Sequence, residues 1–292
     1  MIGLRIGSAL ADLQLGDHIC MPVTSVAERR SIVAGLVDDG LRDRHQVLVL
    51  TDDPPPHELS SWLAGRKPEA DRALACGQIQ VLPSEASYLP DGTLDVDRTL
   101  AAFNVHIDLA QRQGYHGIRV SGDLTWIRDG RPSDDTLIDY ETRVNTLFVD
   151  GPVIGLCLYD PRSFDPVAWD SLTAAHPCTA WAADSVSSPR LRCRRTDDPP
   201  GLKLAGEADW ANHQALPSLL TAATNVPGRC WIDATELAFA DARAVASLLH
   251  TAAERGKRPT TIVGSTQLVA MLSALTGGAA TRAITLTTST PD

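Results

Sequence analysis

Three groups of side chains in this 292-residue chain could do chemistry. His18 and Cys20 stand two apart in the run Gly16-Asp17-His18-Ile19-Cys20-Met21-Pro22-Val23. On a strand that spacing turns both to one face. An imidazole and a soft thiolate are donors for zinc, iron or haem. A pair is only half a metal site, so metal binding is the weaker reading. A core histidine with one bonded ring nitrogen, beside a packed cysteine, is the plainer one. The second group is Asp123, Thr125 and Trp126, which follow an apolar run ending in Ser121-Gly122. In open parallel sheets ligands sit beyond the strand carboxyl ends, and Trp126 offers an apolar face with one donor. The alternative is a loop aspartate capping a turn beside a tryptophan that closes the core. The third group is Glu141 and Asn145, four apart and therefore on one face of a helix. Glu141 with Asp123 could form an acid/base pair, but salt bridges to Arg119 or Arg143 account for such carboxylates more simply.

The elements that must position these groups follow from periodicity. Strands are expected at about 18–23, 46–51, 78–82, 117–123 and 153–159. Helical spacing covers 25–42, 57–64, 68–76, 95–113, 133–148 and 166–175. Ser25 with Glu28 has the capping-box arrangement. Residues 87–94 are turn-rich. Strand alternating with helix predicts a three-layer α/β domain with a mainly parallel sheet. Residues 184–200 change character, holding Ser-Ser-Pro, an arginine cluster (Arg190, Arg192, Arg194, Arg195) and Asp-Asp-Pro-Pro. They read as a linker, although Arg190 to Arg194 could be a strand of either neighbour. The expected division is 13–183, linker 184–200, and a second α/β domain at 201–292. In that domain strands are expected at 202–204, 230–233, 260–263 and 283–286, and helices at 216–224, 242–255 and 266–275. A turn should follow Asp233. Asp241 is the expected N-cap of the helix that begins at Ala242.

Composition narrows the function classes. A net charge of −10 with pI about 5.2 disfavours a nucleic-acid surface over the whole molecule. The arginine cluster is a local exception, read as a solvated linker or edge strand rather than a phosphate patch. No apolar run reaches the length of a membrane span, and Met1 to Arg5 lack the features of an export signal. Six scattered cysteines without a C-x-x-C pair suit reduced thiols. A cytoplasmic protein is expected.

Two stretches carry family resemblances. Gly16-Asp17-His18-Ile19-Cys20, Arg119 to Trp126, and Tyr140-Glu141 with Asn145 and Phe148 together resemble the MEDS family. These are sensory domains of methanogens, methylotrophs and the dichloromethane-responsive repressor. The resemblance implies a fold of the RecA/KaiC-like type and the sensing of small molecules such as hydrocarbon derivatives. It also raises the option that His18 and Cys20 line a ligand pocket, for which Asp123, Thr125, Trp126, Glu141 and Asn145 are the further candidates from their positions. An active ATPase of that lineage needs a phosphate-binding loop. No G-x-x-x-x-G-K-[ST] occurs, and the loop after the first strand, Pro22 to Ser25, has neither glycine nor lysine. Hydrolysis is disfavoured, while a bound nucleotide stays open.

The second stretch, Cys230 to Leu249 with Leu202 to Asp209 before it, resembles STAS domains, the fold of anti-sigma factor antagonists. The resemblance implies that the face bearing Asp209, Asp241, Ala242 and Arg243 meets a regulatory partner such as an anti-sigma factor. In those antagonists a serine after the aspartate is phosphorylated. Here Ala242 and Arg243 stand in its place, and neither accepts phosphate, so the usual charge switch is not expected there. The leading expectation is a non-enzymatic regulator that senses in its first domain and engages a partner with its second, affecting transcription. The alternatives are an ATPase remnant that binds nucleotide, or a metal or redox sensor at His18/Cys20. No cofactor is named by the sequence. Dimerisation is plausible without a motif to support it.

Overall fold

The computed structural model describes residues 13–127, 132–180, 191–275 and 283–288. β1 (His18–Pro22) and β2 (Gln46–Leu50) are apolar runs buried along their whole length, as strands covered on both faces must be. Between them lies α1 (Val26–Arg42). It starts where the Ser25 hydroxyl accepts the Glu28 N–H, and it turns Ile32, Val33, Leu36 and Val37 inward. There follow α2 (Pro56–Arg66), α3 (Pro68–Ala75), β3 (Ile79–Leu82), α4 (Ser84–Tyr88), α5 (Val96–Arg112), β4 (Ile118–Asp123), α6 (Asp134–Asp150), β5 (Val153–Tyr159), α7 (Pro166–Ala174) and β6 (Cys178–Thr179). These strands form a parallel six-stranded sheet ordered β3-β2-β4-β5-β1-β6.

Period-two alternation divides the sheet's side chains between two cores. Ile19, Met21, Val47, Val49, Leu156 and Leu158 join α1, α2 and α3 on one face. Cys20, Leu48, Leu50, Val153, Cys157 and Tyr159 join α5, α6 and α7 on the other. The result is the three-layer α/β architecture expected from the alternation of strand and helix. The helix α4 lies partly in the stretch read as turn. Its start is capped from a distant segment, where the Asp52 carboxylate accepts the Ser84 and Glu85 N–H groups, and no local pattern encodes that.

The second domain contains β7 (Leu191–Asp197), β8 (Pro200–Ala208), α8 (Ala215–Thr224), β9 (Cys230–Ala240), α9 (Ala242–Glu254), β10 (Thr260–Gly264), α10 (Thr266–Leu275) and β11 (Ile284–Thr287). Its sheet runs β11-β10-β9-β8-β7, and only the β7–β8 pair is antiparallel. Alternate strand residues (Leu202, Leu204, Ile232, Ala234) pack with the inner faces of α8, α9 and α10 in one core.

Two expectations are corrected here. Residues 191–197 are not linker. They form an edge strand paired with β8 from Leu191↔Gly206 to Asp197↔Pro200, because Leu191 and Cys193 alternate inward between the arginines. The described part of the second domain therefore begins at Leu191, and residues 181–190, with Arg190, lie outside the described residues. The turn expected after Asp233 is instead strand. β9 continues to Ala240 because register shifts between Lys203 and Ala205, and between Gly206 and Glu207, absorb its extra residues.

The edge arginines join the domains. Arg192 grips the buried Asp17 carboxylate with Nε at 2.7 Å and an Nη at 2.9 Å. Arg194 donates to the Gln14 side chain and the Leu15 carbonyl, and Arg195 pairs with Asp150 at the end of α6. Val149 of α6 sits in the second domain's core.

Candidate functional site

On the α6 side of the first sheet, six polar side chains meet in a space closed to solvent: His18, Glu141, Asn145, Cys157, Tyr159 and His176. β1 supplies His18. β5 lies beside it, pairing His18 with Gly155, so Cys157 falls diagonally next to the imidazole and Tyr159 follows two residues on. Helical spacing puts Glu141 and Asn145 of α6 above them, and His176 arrives just after α7.

The hydrogen bonds fix the histidine tautomers. His176 Nδ1 lies 2.9 Å from the Leu172 carbonyl, which can only accept, so Nδ1 carries the hydrogen. Asn145 Nδ2 faces the carbonyls of Glu141, Thr142 and Ala175, which orients its amide. Asn145 Oδ1 therefore accepts from His18 Nδ1 at 2.9 Å. Both Nε2 atoms point inward. His18 Nε2 is 3.2 Å from Glu141 Oε2 and 3.3 Å from Cys157 Sγ, and His176 Nε2 is 3.1 Å from the same Oε2. Cys157 Sγ is 3.8 Å from it. The Tyr159 hydroxyl donates to Glu141 Oε1. Phe148 stacks flat on His18, with ring centroids 4.4 Å apart.

Burial opposes ionisation of Glu141, yet protonated imidazoles facing it, through charge and hydrogen bonding, outweigh it and hold the carboxyl below its ordinary range. Burial, then the neighbouring His176, lowers His18. Burial and Glu141 push the Cys157 thiol well up. The arrangement is thus an ionised carboxylate facing two inward imidazole nitrogens and a thiol.

Beside it, between the sheet and α5 and α6, lies a cavity lined by apolar groups with His18, Cys157, Tyr88 and Tyr140 on its walls. Its volume is about 30 Å³, room for one or two waters. Gly155 and Gly122 keep it open. A Cβ on Gly155 would meet Phe148 at 2.5 Å, and one on Gly122 would meet the Tyr88 hydroxyl.

The expected site residues are not all brought together. Cys20 shares His18's face and pairs in register with Cys157, but the donor atoms clustered round His18 are those of Glu141, Cys157 and His176. Asp123 points to the opposite face. Its side chain borders a crevice with Arg29, Val33 and Leu158 on the α1 side, so the sheet separates it from Glu141 and the two do not form an acid/base pair. Its Oδ1 accepts the Thr125 N–H and hydroxyl at 3.0 and 2.7 Å, and Oδ2 lies 3.5 Å from Arg29 Nε. Trp126 donates to Ser84 Oγ and sits behind Tyr88. Asp123, Thr125 and Trp126 thus form a loop anchor next to the cavity wall. In the second domain Asp209 accepts the Ala211 N–H and Asp241 the Ala244 N–H, each a helix-start cap. Ala242 and Arg243 are exposed beyond Asp241, near the exposed Phe239.

Sequence reasoning missed Cys157, Tyr159 and His176. The first two were discernible only as alternate positions of a strand buried on both faces. His176, directly after a helix, carried no signal.

A family model described as "MEDS: MEthanogen/methylotroph, DcmR Sensory domain" matches residues 17–177. A second, described as "Mlab, STAS domain", matches residues 191–287. No curated protein matches the sequence. Among solved structures, a KaiC-like protein from the hyperthermophilic archaeon Pyrococcus horikoshii is similar at a TM-score of 0.40 and 8% identity, over 65% of this chain and 78% of that one.

Proposed function

The chain belongs to the family of MEDS sensory domains, carries a STAS domain behind it and has a signalling role; from that premise we propose that a small apolar molecule entering the cavity beside His18 is the signal. The chain then works as a cytoplasmic regulator without catalytic turnover. Its STAS domain engages a regulatory protein such as an anti-sigma factor, and transcription changes as a result. The observation that carries this reading is the reach of Asn145. Its Oδ1 holds His18 at the cavity wall, and its Nδ2 lies 3.4 Å from Ser218 Oγ on α8 of the second domain. A guest that displaces His18 or Phe148 therefore acts on the helix that packs against α6. Ligand binding alters the partner surface only if it discriminates between two arrangements of these helices. The exposed Phe239, Ala242 and Arg243 supply a candidate docking face, and the lack of a hydroxyl at 242 and 243 leaves the ligand rather than phosphate as the control. Among the described residues no helix is long and apolar enough to cross a membrane.

The test is a thermal-shift screen of one- and two-carbon hydrocarbon derivatives against the full chain and against Val144→Leu, which fills the cavity. Hits that stabilise the wild type alone, and that slow amide exchange in α8, support the reading. Absence of any hit, or equal shifts in both proteins, removes it.

A further inference from the structure

We propose that His18, Glu141, Cys157 and His176 together hold one zinc-class divalent cation at the centre of the first domain. This site differs in composition from a His18/Cys20 pair and does not depend on the cavity taking a guest.

Three observations converge. The first is geometric. The donor atoms of the four residues lie within 4.8 Å of one another. Contacts of 3.1 to 3.8 Å separate His18 Nε2, His176 Nε2 and Cys157 Sγ from Glu141 Oε2, and 3.3 Å separates His18 Nε2 from Cys157 Sγ. A tetrahedron with zinc–nitrogen, zinc–oxygen and zinc–sulfur bonds of ordinary length has edges of roughly 3.3–3.6 Å. A cation at the centre needs only small side-chain adjustments.

The second is the state of the ring nitrogens. Both Nδ1 hydrogens are committed, one to the Leu172 carbonyl and one to Asn145 Oδ1, so in the neutral ring each Nε2 presents a lone pair inward. This is the outer-shell arrangement that orients metal-binding histidines. His176 Nε2, wholly buried, makes no hydrogen bond, because the carboxylate oxygen 3.1 Å away is poorly aligned with the ring.

The third is charge. Two lone pairs aimed at one carboxylate oxygen repel it unless protons or a cation intervene. Protonating one imidazole balances the carboxylate but leaves the other nitrogen's lone pair facing the same oxygen, and protonating both would leave a net positive charge in a buried space, which is costly. A divalent cation with Glu141 ionised and Cys157 as thiolate makes the group neutral, and the released thiol proton leaves with solvent. A thiolate, two imidazoles and one carboxylate favour zinc, cobalt or ferrous iron over magnesium or calcium. Four protein donors complete a tetrahedron, so the site is structural in kind, with no position for a reacting water. It would clamp β1, β5, α6 and the segment after α7, and through Asn145 it would stiffen the contact with α8.

The experiment uses the full chain, purified without an affinity tag of histidines. Elemental analysis is expected to find close to one zinc-class ion per chain. After chelation, added Co²⁺ should give the visible bands of a tetrahedral site and a sulfur-to-cobalt charge-transfer band. Cys157→Ser should abolish that charge-transfer band, and Cys20→Ser should keep it. X-ray absorption on the wild-type protein, independent of variant folding, should show one sulfur and three nitrogen or oxygen neighbours. Metal-free protein that takes up no Co²⁺, a sulfur-free coordination shell, or a charge-transfer band lost with Cys20 instead of Cys157 would each overturn the proposal.

Discussion

Tyr159 contributes one hydrogen bond to the buried cluster, and that bond is to the carboxylate oxygen not shared with the histidines. In Tyr159→Phe the ring still packs, but Glu141 Oε1 loses its donor where no water reaches it. A buried acceptor left without a partner costs about 1–3 kcal/mol. Urea unfolding should report a loss of that size, while bound metal is retained because Oε2, the inner oxygen, is untouched. A loss of metal instead would mean that Tyr159 holds the carboxylate in place rather than merely satisfying it. At this scale the sequence was informative about one half of the cluster. His18, Glu141 and Asn145 stood out by residue type and spacing. Cys157 and His18 are 139 positions apart, and only the strand order, with β1 inserted between β5 and β6, makes them neighbours. Asp123 lies apart from this cluster for a different reason. Its residue type suggested a ligand, but period-two alternation from Gly122 sends it through to the α1 face.

The elements reveal why the cavity exists at all. β5 bears Gly155 opposite His18, and its missing side chain is the slot into which Phe148 leans to stack on the imidazole. Gly155→Ala would place a methyl 2.5 Å from Phe148 Cζ, so the phenyl ring must leave the stack or the helix must lift. Overpacking of this kind costs typically about 1–3 kcal/mol. Denaturant unfolding should register that loss, and any small-molecule stabilisation found in the wild type should vanish with it; a variant as stable and as responsive as the wild type would show that the stack is incidental. Most elements were legible because apolar runs and 3.6-residue spacing are local. Those that were not, α4, β6, the second half of β9 and β7 as more than an open alternative, owe their form to partners elsewhere. Asp52 caps α4, β1 pairs the short β6, β8 pairs the arginine-bearing β7, and register shifts carry β9 past Asp233 into an alanine-rich run with weak strand preference.

At the scale of the whole molecule, the question is whether the two domains unfold as one body. Signalling from His18 to the STAS face requires that they share stability, since a joint that yields freely transmits nothing. The interface offers an apolar part, with Val149 of α6 set in the second domain's core, and a charged part, in which Arg192 pairs bidentately with Asp17, a carboxylate only 1% exposed. Removing Arg192 takes two charge-assisted hydrogen bonds from a buried carboxylate, and that penalty falls on the docked state, because Asp17 regains water once the domains part. Arg194 adds bonds to Gln14 and Leu15 from the same strand. Arg192 and Arg194 point away from the β7 residues that pack inward, Leu191 and Cys193, so truncating them spares the second domain's own core. Calorimetry of the wild type should therefore give one unfolding transition, and Arg192→Ala/Arg194→Ala should split it in two, with each domain still folded by circular dichroism at low temperature. A single transition that merely shifts downward would place the coupling in the α6–α8 contact, and Asn145 with Ser218 would then be the next pair to separate.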